Sequence, residues 1–160
     1  DGTMALGFAI GFGTLSGMLV AIRWLGDLCL GPVFGHLSDR LGKEAVIVTS
    51  LGIAAISMIG VALWPTLAVA IPAFTFVFFA STALIVSLNA SIADLAPASR
   101  RTSILSRYAT WADIGSGTGP IIALPMVATL GFNWTYGAGA AATLIALGIY
   151  LVVFMRKENT

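Results

Sequence analysis

The sequence predicts an all-α protein, a polytopic bundle of transmembrane helices, and three observations carry that expectation. Hydrophobic residues make up 58% of the 160-residue chain and charged residues only 9%, against roughly 45–50% and about 25% in soluble domains. The apolar residues collect in charge-poor runs of about 20 residues, the length that crosses the roughly 30 Å hydrocarbon layer of a bilayer. Lys and Arg then fall at alternate breaks between the runs, which is the charge pattern of a multi-pass membrane protein.

Taken in order, the first run, Met4 to Phe34, is apolar except for Arg23 and Asp27. At about 1.5 Å per helical residue it is longer than one crossing. The first span is therefore read as about 15–36, with 7–13 as a flanking outer segment or the remnant of an upstream helix. GHLSDRLGKE, Gly35 to Glu44, reads as a short hairpin loop. The second span, about 45–64, is charge-free and ends at Pro65. The third covers about 67–93, continuing toward Asp94 until Pro97 stops it. A polar segment, Pro97 to Arg107, leads into a fourth span at about 104–130 with Pro120 and Pro125 inside it, and a fifth at about 134–155. The expected organisation is a single transmembrane domain over 1–160.

Apart from Arg23, the cations are Arg40 and Lys43, then Arg100, Arg101 and Arg107, then Arg156 and Lys157. They alternate with the cation-free turns at Pro65–Thr66 and Gly131–Asn133. The positive-inside rule puts the three basic places in the cytoplasm, the N-terminus of the segment outside and its C-terminus inside. The expected location is an integral, multi-pass protein of the plasma (inner) membrane. The chain begins at Asp1 with no basic leader region, so the expectation is a piece of a longer protein without a signal peptide.

Several function classes recede. A formal net charge of +1 gives no reason to expect a nucleic-acid partner. The lone Cys29 excludes an internal disulfide and any multi-cysteine metal site. His36 has no nearby ligand set, so no metal and no cofactor are expected. Gly-rich strings such as GFGTLSG and GSGTGP follow no strand and are not nucleotide loops. No spaced His/Glu zinc motif or Ser-His pair points to an enzyme. Asn133-Trp134-Thr135 matches a glycosylation acceptor, discounted because its turn is short.

The stretch Gly35, Leu37, Ser38, Asp39, Arg40, Gly42, Lys43 resembles the signature loop between the second and third helices of a six-helix repeat in the major facilitator superfamily. The family places further basic residues after the second Gly, where this chain has Glu44. Gly115, Gly119 and Pro120 likewise resemble the Gly-x-x-x-Gly-Pro pattern of the superfamily's fifth or eleventh helix, although Ala123 and Leu124 replace the Gly pair that follows. The resemblance implies half of a major-facilitator-type fold, five spans of one repeat with the first missing. The C-terminal half is favoured, since the chain stops five residues after the last span. It also implies secondary active transport of a small solute by alternating access, with protons as a candidate coupling ion and the missing half of the same transporter as partner. A non-transporting membrane sensor or assembly protein on the same scaffold is the alternative.

Candidate pathway residues are Arg23, Asp27, Asp113 and Asn89. Four-residue spacing puts Arg23 and Asp27 on one helix face near mid-span. A charge at that depth costs at least about 2.5–3.5 kcal/mol on insertion scales and usually faces a protein interior or a water cavity. A structural ion pair that only holds helices together is the competing reading. Gly31 and Gly35 extend the stripe and Pro32 can bend it. Asp113 is either a protonation site or a partner for a cytoplasmic Arg. Asn89, with Ser87 and Ser91, can line a cavity or hydrogen-bond between helices. The resemblance assigns Gly35, Asp39, Arg40, Gly42 and Lys43 to a conformational gate, in which Asp39 meets the end of a helix from the opposite half; a solvated turn is the alternative. Gly115, Gly119 and Pro120 would be helix-packing positions.

Overall fold

The computed structural model describes residues 25–158, and every regular element among them is helical. Helix α1 covers 25–41, α2 Lys43–Leu63, α3 Leu67–Leu95 and α4 Arg101–Glu158. α4 is two helical arms, because Gly131 inside it has φ 85° and ψ 173°, outside helical geometry. The upper part of the first expected span, with Arg23 and residues 7–13, lies outside the described residues.

The expected hairpin at Gly35–Glu44 is corrected. α1 continues helically through Leu41, α2 starts at Lys43, and only Gly42 stands between them. Gly42 has φ 90° and ψ 135°, a backbone region that costs an L residue with a Cβ and suits glycine. Polarity alone suggested a loop there. The reversal needs one residue of the right conformation, and the polar side chains around it ride on helix ends. The Gly131–Asn133 turn is likewise reduced to Gly131, and the segment after Pro97 is already helical from Arg101.

α1 and α3 run parallel, as their contacts show in order. A Cβ at Gly26 would meet the Phe78 ring at 3.1 Å, Asp27 bonds to Thr82, a Cβ at Gly35 would meet Val86 at 3.9 Å, Ser38 bonds to Ser87, and Lys43 pairs with Asp94. α2 lies antiparallel to α3 through the turn at Trp64–Thr66. The second arm of α4 packs against α2 with Gly139 on the Met58 sulfur at 3.2 Å, and against the start of α3 through Tyr136 and Phe74, whose rings are 5.6 Å apart. Its 150 end lies within electrostatic reach of Glu44. Arg40, Lys43, Arg100 and Arg101 therefore gather toward one end of the bundle, and Pro65, Thr66 and Gly131 toward the other.

On α3, small residues face the interior and large ones the exterior. Ala73, Ala80, Ala83 and Ser87 are the buried stripe of α3, while Leu67, Ile71 and Phe76 on the same helix are 79%, 65% and 55% exposed. In water that arrangement would leave the strongest hydrophobic driving force unused. In lipid it is the expected one, since tails solvate the large side chains and small residues let backbones approach. Among the described residues, three helices are long and apolar enough to cross a membrane, and the third of them, the bent α4, is long enough to do so twice. Pro72, Pro120 and Pro125 sit inside helices, each removing one backbone donor.

Candidate functional site

Asp27 lies on the α3-facing side of α1, half-buried, and its Oδ1 accepts a hydrogen bond from the Thr82 hydroxyl at 2.5 Å. Thr82 is 4% exposed. The distance is that of a short O–H···O hydrogen bond. Arg23 lies outside the described residues, so the partner the structure adds to Asp27 comes from a different helix. Thr82 escaped sequence reasoning because a Thr in an apolar helix commonly bonds its own backbone, as Thr75 does to Ile71.

At the basic end, α1, α2 and α3 enclose a cleft of about 380 Å³ lined by Ser38, Asp39, Gly42, Lys43, Ser91 and Asp94, among others. Most of the signature residues meet here. Lys43 forms an ion pair with Asp94, the lone charge of α3, and ties the start of α2 to the end of α3. With Asp94 two-thirds exposed, the pair is a surface pair of about 0–1 kcal/mol. Asp94 was missed as a site residue. A single acid after a long charge-free run, with a cation just past the first helix break, was the available signal.

Asp39 and Arg40 are exposed on the last turn of α1 and make no hydrogen bond or ion pair among the described residues. A helix C-terminus carries negative partial charge, so Arg40 suits its place and Asp39 is disfavoured by its own helix. Gly35 faces Val86, but a Cβ at Gly31 would meet nothing within 4 Å. His36 and Pro32 are exposed.

Asp113 sits on the first arm of α4, where every residue from Trp111 to Pro120 is exposed. Its carboxylate has no partner among the described residues, and its carbonyl accepts from the Ser116 hydroxyl at 3.0 Å. Nothing lies within 4 Å of a Cβ built at Gly115 or Gly119. The expected close packing at these glycines is not made by any described helix of this chain. Asn89 opens onto a groove between α3 and α4 with Thr102, Leu105 and Ser106. The structure thus brings Asp39, Gly42 and Lys43 together around the cleft, whose lining does not include Asp27, Asn89 or Asp113. No group of three or more His, Cys, Asp or Glu among the described residues can hold a metal ion.

The profile of the Major Facilitator Superfamily matches residues 2–160. The chain belongs to the Major Facilitator Superfamily. Its members are transporters rather than enzymes, and the helical bundle agrees with half of such a fold. Two relatives are Protein spinster homolog 3 of Danio rerio and Multidrug resistance protein MdtG of Klebsiella pneumoniae (strain 342). The first is 26% identical over 148 residues, covering 88% of this chain and 28% of that protein. The second is 26% identical over 144 residues, covering 89% of this chain and 34% of that protein. This superfamily chain therefore spans about a third of the length of the curated relatives it matches. No solved structure matches it.

Proposed function

We propose that this chain is one half of a secondary active transporter that moves a small solute by alternating access and couples it to protons through Asp27. The observation that carries the reading is a carboxylate between two apolar helices that accepts a hydrogen bond from a buried hydroxyl of the neighbouring helix. A scaffold has little use for such a group, because it is costly at membrane depth, whereas a proton relay requires one. In this reading the exposed first arm of α4, with Asp113, Gly115 and Gly119, faces the missing half across the solute path. The basic end of the bundle is cytoplasmic. Asp39, unsupported by its own helix end, is free to attract the N-terminus of a helix from the other half when the cytoplasmic side closes. Lys43 and Asp94 hold together the α2 and α3 ends beside it.

The test uses the full-length protein in proteoliposomes with an imposed inward proton gradient. Labelled sugars, amino acids and organic cations form the panel, the last because one relative is named a multidrug resistance protein. Gradient-stimulated flux of at least one compound, lost on collapsing the gradient and in Asp27→Asn, is the expected result. Flux unaffected by the gradient would remove proton coupling. No flux across the panel from monodisperse protein would favour the non-transporting sensor.

A further inference from the structure

Thr82 has one hydroxyl proton and two acceptors within reach. Asp27 Oδ1 is at 2.5 Å and the Phe78 carbonyl, one turn back on α3, is at 3.2 Å. The proton can serve only one of them fully at a time. The shorter contact goes to the carboxylate, and the Phe78 carbonyl is meanwhile served by the Ser81 hydroxyl at 2.8 Å. The two helices are in close contact here, since a Cβ at Gly26 would already meet the Phe78 ring at 3.1 and 3.3 Å, and Thr82 is closed to solvent.

We propose that Thr82 is a positioning residue whose hydroxyl reverses its hydrogen bond when Asp27 takes up a proton, so that α1 and α3 stay joined in both protonation states. This rests on the reading of Asp27 as a proton-carrying group. With Asp27 ionised, Thr82 O–H donates to Oδ1. When a proton arrives it is held on the Asp27 carboxyl, whose O–H then donates to Thr82 Oγ. The Thr82 proton rotates onto the Phe78 carbonyl. One proton is gained, no covalent bond of the protein is broken, and no buried polar atom is orphaned in either state. A Thr at this place is required to be both donor and acceptor, which Val, its near-isostere, is not. Because the contact survives, protonation would leave α1 and α3 moving as one body.

Among the described residues, few other charges bear on Asp27. α3 carries one titratable group, Asp94, at its far end against Lys43. On α1, Cys29 is exposed two residues on, and His36, Asp39 and Arg40 lie toward Gly42. Arg23 is one turn before Asp27 in sequence, outside the described residues.

Infrared difference spectra of the full-length protein between high and low pH test the proposal. The carbonyl band of the protonated Asp27 carboxyl is identified by its absence in Asp27→Asn. In Thr82→Val that band is expected to move to higher frequency, since its hydrogen bond is lost, and Thr82→Ser is expected to return it to the wild-type position. Should Thr82→Val fail to fold, Thr82→Cys, a weak donor and acceptor, takes its place with a smaller shift in the same direction. A band that stays in place in these variants would overturn the role of Thr82 while leaving Asp27 as a proton carrier. The absence of an Asp27 band at any pH would overturn both readings.

Discussion

Ser38 and Ser87 share a hydrogen bond of 3.0 Å across the α1–α3 junction, with 1% and 0% of their surfaces exposed. Each is small enough to let the two backbones approach, and the Ser87 hydroxyl donates to Ser38 Oγ. Replacing Ser87 alone with Ala leaves the Ser38 hydroxyl buried and unpaired, a loss of about 1–3 kcal/mol. Ser38→Ala should cost a similar amount. The double replacement removes both polar groups and should be milder than the sum of the two. Thermal unfolding of the full-length protein in detergent measures this, and additive losses would mean that the two hydroxyls are not coupled.

Gly42 gives a second prediction, with a control of opposite sign. Its φ of 90° places it where a Cβ is strained, although nothing crowds the site. Gly42→Ala should therefore destabilise by roughly 1–2 kcal/mol through the backbone alone. Gly52 is also open, but lies inside α2. There Gly52→Ala should be neutral or stabilising, by up to about 1 kcal/mol. Equal effects at the two sites would show that the single-residue reversal between α1 and α2 is not under conformational constraint.

The helical class was legible because a membrane imposes it. Runs such as Ala45–Trp64 have no other use for their length, and Pro65 and Pro97 mark ends that the helices respect, with α3 stopping at Leu95. The signature residues Asp39, Gly42 and Lys43 were legible as a cluster because they are neighbours in sequence. Thr82 and Asp94 were not, since each acquires its meaning from a residue about fifty positions away, and periodicity carries no record of which helix packs on which. The hairpin reading failed at Gly35–Leu41 for a related reason. Polar side chains mark exposure to water, and a helix end that emerges from lipid is as polar as a loop.

The orientation proposed from the cations is open to cysteine labelling. Cys29 is exposed and must first be replaced, so that it does not contribute a background. In the full-length protein, an impermeant thiol reagent added outside should modify a Cys placed at Thr66 or Asn133 and spare one at Ser99. Thr66 and Asn133 are exposed at the end of the bundle opposite Ser99. Labelling of Ser99→Cys alone would invert the topology.

Gly115 and Gly119 can separate folding of this chain from assembly with the proposed other half. Nothing in the described helices would touch a larger side chain at either position. Gly115→Leu and Gly119→Leu should therefore leave the α1–α3 contacts intact. If these glycines meet a helix of the other half, each extra side chain opposes that approach, since close small-residue contact is what permits it. Transport in proteoliposomes should fall at least several-fold while the variants remain monodisperse. Wild-type transport by both would place the glycines against lipid.

Asp39 gives the sharpest test of the gate. It stands on the C-terminal turn of α1, exposed and unpartnered among the described residues. There the partial negative charge of its own helix works against it by about 0.3–1 kcal/mol. A carboxylate kept in that position gains only when another element supplies positive potential, and the N-terminus of a helix from the opposite half would do so in the state closed to the cytoplasm. Asp39→Asn removes the charge and keeps the shape. It should raise the intrinsic stability of α1 slightly while shifting the full-length protein toward the inward-open state and slowing transport. Arg40 and the Lys43–Asp94 pair remain in place, so expression should be close to wild type. Spin-label distances across the cytoplasmic side report the balance directly. A lengthened distance population in Asp39→Asn is expected, because a loss of about 1 kcal/mol from one state changes a two-state ratio about fivefold. An unchanged distance distribution would mean that Asp39 is a solvated helix-end residue and that the cytoplasmic gate is held by other groups.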